Sequence, residues 1–195
     1  MSWFSRRIPL SQARWAVIDC ETSGLDPRRD RLLSVGAVRV RSDRITLAET
    51  FSAQVRSPVA SAAQNILVHG IGADAQLAAP PPEEVLPQLA RFLEDSIPVA
   101  FHAWFDREVL QRAGLRIAAR WLDLEPLAHA LYPKRNLRTL DHWIGAFGIQ
   151  PAARHDAVLD ALASAELLLV LLARARSAGM RTVEELLAAA GRIRL

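Results

Sequence analysis

Asp19-Cys20-Glu21 places two carboxylates at i and i+2, immediately after an apolar, β-prone run from Trp15 to Ile18. Alternate residues of a strand share a face, so Asp19 and Glu21 stand side by side at the strand's end. Two carboxylates near a core repel each other and lose hydration, a cost of roughly several kcal/mol unless something compensates. A hard divalent cation, Mg²⁺ or Mn²⁺, compensates economically because oxygen ligands suit it; a pair lying in water beyond the strand is the plainer alternative. A third acid, Asp106, follows Phe101-His102-Ala103-Trp104-Phe105 at the expected start of a helix, where the helix dipole favours a negative charge whether it caps or ligates. A third cluster, His155-Asp156-Ala157-Val158-Leu159-Asp160, opens a long apolar helix. Asp156 and Asp160 are one turn apart, whereas His155 and Asp160 are separated by about 500° and share a face only loosely, so His155 belongs at or before the helix start. Asp160 interrupts the apolar Val158, Leu159 and Leu162, as a ligand facing a sheet or an ordinary surface acid would.

The elements that must hold these groups follow from the apolar periodicity. Leu32 to Val40 and Ile45 to Val55 are predicted strands, joined by a polar turn at Arg41 to Arg44 that suits a hairpin. Pro80-Pro81-Pro82 followed by Glu83-Glu84 starts a helix that runs to about Leu93. Pro98 to His102 is a short strand, Asp106 to Ala113 a helix stopped at Gly114, and Trp121-Leu122-Asp123 another strand. Helices are predicted over Leu124 to Leu131, Thr139 to Phe147 and Asp156 to Ala175, and over Thr182 to Ala190 behind a Thr182-Val183-Glu184-Glu185 capping box. Strands first and βα units afterwards predict an α/β fold with a mixed sheet and helices on both faces. Trp3, Trp15, Trp104, Trp121 and Trp143 are assigned to packing.

Composition bounds the rest. With 195 residues, 51% hydrophobic and 23% charged, the chain 1–195 is expected to form a single domain around a core, which excludes disorder and coiled coil. The lone Cys20 cannot form an internal disulfide or a cysteine zinc site, and Met1 to Leu10 does not resemble a signal peptide, so a reducing, cytoplasmic setting is expected. The apolar run Leu167 to Ala173 is well short of the roughly 18 residues a membrane span needs. A formal charge of +3 and a pI near 9.9 agree with a phosphate-bearing partner.

Taken together, the clusters resemble the DnaQ-like, DEDDh-type 3′-to-5′ exonucleases, a family related to the proofreading subunit of bacterial DNA polymerase III. Asp19-Cys20-Glu21-Thr22-Ser23-Gly24-Leu25 is similar to the first exonuclease motif, Phe105-Asp106 to the second and His155-x-Ala157-x-x-Asp160 to the third. Val68-His69-Gly70-Ile71 and Leu140 to Ile149 are similar to the segments between them. The resemblance implies a ribonuclease H-like fold, a five-stranded mixed sheet with its second strand antiparallel. It implies that Asp19, Glu21, Asp106 and Asp160 bind two divalent ions, Mg²⁺ or Mn²⁺, and that His155 is the general base. It also implies that Thr22, Ser23 and Gly24 bring backbone donors near the terminal sugar and phosphate, that Leu25 wedges against a base and that His69 lies near the terminal nucleotide; Phe105 offers a ring that can stack on a nucleobase or pack in the core. Asp123 and Asp156 fall outside the ligand pattern and are read as structural.

The expected activity is hydrolysis at the 3′ end of single-stranded nucleic acid, with DNA the favoured polymer, releasing nucleoside monophosphates. RNA trimming or oligoribonucleotide degradation on the same fold is the alternative. Where the family usually carries His-Asn-Ala ahead of the second motif, this chain has Phe101-His102-Ala103. That departure motivates a third reading, an inactive nucleic-acid-binding or polymerase-associated module. A polymerase or homodimer partner would need an exposed apolar face, with the C-terminal helices as candidates.

Overall fold

The computed structural model describes residues 7–193, so Trp3 lies outside the described residues. Strand β1 spans Arg14–Thr22, β2 Leu32–Arg41 and β3 Arg44–Gln54. The β2–β3 turn is Ser42-Asp43, both at positive φ (49° and 58°), a backbone that matches the right-handed twist of the flanking strands. Arg176 fastens this turn with two 2.6 Å bonds to Asp43.

Two short helices follow, α1 (Ala63–His69) and α2 (Ala73–Ala78), a region the sequence leaves unassigned because six or seven residues carry little helical signal of their own. Helix α3 (Pro82–Leu93) has Pro82 in its first turn with Glu83 and Glu84 behind it, as predicted. Strand β4 (Ile97–Ala100) leads into α4 (Ala103–Ala113). The helix therefore begins at Ala103, earlier than the predicted Asp106, because the cap comes from a distant residue. The Asp123 carboxylate accepts from the His102 and Ala103 amides at 3.1 and 2.8 Å. Strand β5 (Leu122–Asp123) then gives way to α5 (Leu124–Leu131), whose Glu125 amide also donates to Asp123. Thus Asp123 caps two helices at once, the structural role expected of it. Helix α6 (Leu140–Ala146) starts at a Thr139 cap, α7 (Ala157–Ser177) at an Asp156 cap, and α8 (Val183–Ala190) at the predicted Thr182/Glu185 capping box.

The five strands form one sheet in the order β3-β2-β1-β4-β5, with β2 antiparallel to both neighbours and β1, β4 and β5 parallel. Alternation along β1 divides the core. Trp15 and Val17 pack with α5 to α8 on one face, while Ala16, Ile18 and Cys20 pack with α3 and α4 on the other. Among the described residues the exposed large apolar side chains include Leu67, Val68 and Leu77 on α1 and α2, and none on α7 or α8. The expectation of a C-terminal apolar face is corrected accordingly. Among the described residues, no helix is long and apolar enough to cross a membrane.

Gly36 on β2 sets how closely α7 approaches the sheet. It pairs with Asp19, and a Cβ there would lie 2.3 Å from the Ala157 carbonyl carbon in the first turn of α7. Gly36→Ala is therefore expected to destabilise the fold by about 3 kcal/mol, since helix backbone rather than a flexible side chain must retreat. Urea unfolding checks this, and a change under 1 kcal/mol would contradict the close approach.

Candidate active site

The C-terminal ends of β1 and β4 open into a cavity of about 330 Å³, the position where parallel strands of an α/β sheet offer a binding crevice. Asp19 and Glu21 reach it from β1, Asp106 from α4, and His155 and Asp160 from the start of α7. The five residues singled out in the sequence therefore converge. Within that set Glu21, His155 and Asp160 are closest, with one potential ligand atom from each lying within 4.8 Å of the others. Asp19 and Asp106 line the same cavity outside this tight trio.

Their charge states follow from burial. Asp19 is held well above the ordinary carboxylate range, first by desolvation and then by repulsion from Asp106 and Glu21, with Arg154 opposing. Glu21 is raised by desolvation and by Asp156. Asp106, buried rather than the exposed helix cap considered from sequence, is pushed up to about 8 by desolvation, against hydrogen bonds from the Cys20 thiol and nearby amides. Cys20 stays a thiol because burial, Asp106 and Asp19 all oppose its ionisation. A group of raised carboxyls with an all-oxygen donor set is what a hard divalent cation would relieve.

The same shifts carry a stability prediction. Between the unfolded carboxyl value near 4 and the folded value, the native state of metal-free protein holds protons that the unfolded chain has released, so its stability falls as pH rises through that window. Asp106→Asn removes one such group. Melts in EDTA are expected to place it about 3 °C or more above wild type at pH 8, with the difference closing towards pH 4. A lower melting temperature for Asp106→Asn at pH 8 would contradict the assigned strain.

Arg154 has no counterpart in the sequence reading. Its Nε bonds Asp141 Oδ1 at 2.5 Å, and its Nη1 pairs with Asp160 Oδ1, so a guanidinium neutralises part of the acidic cluster. His155, exposed and left-handed (φ 61°), precedes the Asp156 cap, and its amide donates to Asp160 Oδ2 at 3.0 Å. Only its adjacency to His155 marked Arg154, and nothing local indicated its partners.

A second cavity of about 240 Å³ shares Cys20, Glu21, Leu25, Phe105 and His155 with the first. Thr22, Gly24, Val68 and His69 also line it, together with Asn65, which the sequence did not single out. Ser23 lines neither cavity. It is buried, donates to Asp30 Oδ1 at 3.0 Å and accepts from the Arg31 amide, so it braces the loop instead of facing a ligand. His69 is not a loop residue but the last residue of α1, and is buried. Its Nδ1 accepts from the Ile71 amide at 3.0 Å while Nε2 lies 3.1 Å from Ser61 Oγ, so both ring nitrogens are engaged and its surface in the cavity is the ring itself.

The departure at Phe101-His102 also has a geometric account. His102 occupies a left-handed backbone (φ 62°, ψ 49°) ahead of α4, a conformation that Asn and His tolerate better than most residues. Its Nε2 bonds buried Glu125 at 2.8 Å. Histidine thus keeps the turn that brings Asp106 into the cavity.

Comparison with known proteins agrees with this arrangement. The family model RNase_T, described as exonuclease, matches residues 16–168. A PolC-type DNA polymerase III of Caldanaerobacter subterraneus is 28% identical over 179 residues, covering 90% of this chain and 13% of that protein. A DNA polymerase III subunit epsilon-like protein of Rhodobacter capsulatus is 32% identical over 181 residues, covering 89% and 26%. The chain thus spans only a small part of these relatives. Among solved structures, Exonuclease X in complex with 5′-overhanging duplex DNA superposes with a TM-score of 0.74 at 23% identity, covering 90% of this chain and 99% of that one. The nuclease domain of 3′hExo, a DEDDh family member bound to rAMP, gives 0.71 at 16% identity, covering 84% and 94%. The ribonuclease H-like fold expected from the motifs is the fold observed.

Proposed function

The chain belongs to the RNase_T exonuclease family, and from that membership we propose that it shortens single-stranded nucleic acid, DNA foremost, from the 3′ end and releases nucleoside monophosphates. The observation that carries this reading is the meeting of Glu21, His155 and Asp160 within one cavity with Asp19 and Asp106. Asp19, Glu21, Asp106 and Asp160 would hold two divalent ions, Mg²⁺ or Mn²⁺. Bound there, such ions would supply Lewis acidity, lowering the pKa of an attacking water and stabilising a leaving oxygen.

The chain's own residues supply the remaining steps. His155, exposed at the mouth of the site, accepts the proton of the attacking water. Leu25, 93% exposed, and the Phe105 ring flank the cavity that takes the terminal nucleoside, with Thr22 and Gly24 on its wall and His69 presenting its ring. Ser23 acts indirectly, by fixing this loop through Asp30. DNA is favoured because the relatives above are DNA polymerase III proteins, and association with a polymerase in the cytoplasm is part of the same reading. RNA is the second reading, supported by the similarity to a nuclease domain bound to rAMP.

A time course on 5′-labelled single-stranded DNA and matched RNA, with Mg²⁺, Mn²⁺ or EDTA, tests the proposal. Stepwise shortening from the 3′ end that EDTA abolishes is expected, with DNA consumed faster. Failure to shorten either polymer with metal present and the fold intact would sink the reading; faster RNA turnover would transfer it to the second polymer.

A further inference from the structure

Trp104 is 57% exposed, whereas Trp15 and Trp143 are buried at 2% and 0%. It is the one aromatic among the exposed large hydrophobics of the described residues, and it belongs to neither core cluster, which corrects its assignment to packing. Core formation therefore does not explain its position. It sits in the first turn of α4 and lines the 330 Å³ cavity, but not the 240 Å³ one. Its ring is buttressed edge-on by Phe105, with centroids 5.8 Å apart at 86°. The turn that carries it is pinned by Asp123 through the His102 and Ala103 amides. An exposed indole on a pinned turn beside an acidic cluster is a ready surface for a flat, apolar ring.

The two cavities share Cys20, Glu21, Leu25, Phe105 and His155, and of these Glu21 and His155 belong to the reacting cluster. If the reacting phosphodiester lies at these two residues, its two nucleosides fall on opposite sides of them, one in each cavity. We propose that Trp104 is the stacking platform for the nucleobase of the second nucleotide from the 3′ end, so that the larger cavity is a second base subsite. The inference rests on the exonuclease reading and adds to it a residue that grips the strand about to become the new 3′ end. Such a platform tolerates any base, because every base has a π-face.

Steady-state kinetics on short single-stranded DNA, intact or with an abasic second nucleotide, test this. Trp104→Ala is expected to raise KM by roughly 10-fold or more with kcat within about 2-fold, and Trp104→Phe to restore most of the loss. The abasic substrate should raise KM for wild type by a similar factor and leave Trp104→Ala nearly indifferent. Equal KM for wild type and Trp104→Ala, or undiminished abasic sensitivity in Trp104→Ala, would overturn the platform while leaving the exonuclease reading standing. No shortening of intact DNA by wild type would overturn that reading and the platform with it. Quenching of tryptophan fluorescence by oligonucleotide in EDTA gives an independent readout, expected for wild type and absent in Trp104→Phe; equal quenching in both would count against the platform.

Discussion

Asp160→Ala is expected to slow metal-dependent shortening of single-stranded DNA by at least about 1,000-fold, the scale on which losing several kcal/mol of transition-state charge stabilisation acts. Asp160 is 5% exposed and carries two loads. One oxygen faces the cluster with Glu21 and His155, and the carboxylate also accepts the His155 amide at 3.0 Å. Alanine removes a ligand atom and unpins the segment that carries His155. The substitution does not strand a buried cation, because Arg154 keeps Asp141 at 2.5 Å. Circular dichroism should therefore report an intact fold, and calorimetric titration with Mn²⁺ should report weakened binding. Turnover within tenfold of wild type would remove Asp160 from the reacting centre.

His155→Ala is expected to lower kcat by about 100- to 10,000-fold, the range typical of a positioned general base, while Mn²⁺ affinity changes only a few-fold. The separation of these readouts follows from geometry. Asp160 is buried against the sheet, whereas His155 is exposed, left-handed and outside the helix that Asp156 caps. Its side chain can be lost without disturbing the carboxylates. Single-turnover rates beside Mn²⁺ titration check the split, and full activity in the variant would assign the water's proton to another acceptor.

Much of the site was legible in the sequence because its spacing is local. Two acids at i and i+2 on a strand must share a face, and an acid one turn after an Asp cap must lie on the same side of a helix. Asp19 and Glu21 behave accordingly and line one cavity, whereas Asp156 stays at the exposed cap and Asp160 alone of that pair enters the cavity. The start of α4 was misplaced because its cap, Asp123, lies on β5, beyond any local window. The two short helices α1 and α2 escaped notice because they are tied to the rest of the fold by bonds such as those from Asn65 to the Ser23 carbonyl and from the Ser61 amide to Gln76, not marked by propensity.

Ser23 and Trp104 show the same limit in side chains. The resemblance implies backbone donors at Ser23, and the fold adds that its side chain is turned onto Asp30. A tryptophan is ordinarily core, yet the pinned first turn of α4 leaves Trp104 at the cavity rim. Glu125 had no signal, Arg154 was marked only by its adjacency to His155 and Asp141 only by falling within Leu140 to Ile149, since an ion pair or a buttress is a relation between residues that only packing brings together. The sequence by itself determined the residue types, the strand and helix periods and the order of the acidic motifs, because these depend on covalent spacing along the chain. Which carboxylates lie within ligand distance, which polar groups face inward and how close α7 sits to Gly36 were decided by the tertiary structure, because those distances come from the packing of helices across a sheet.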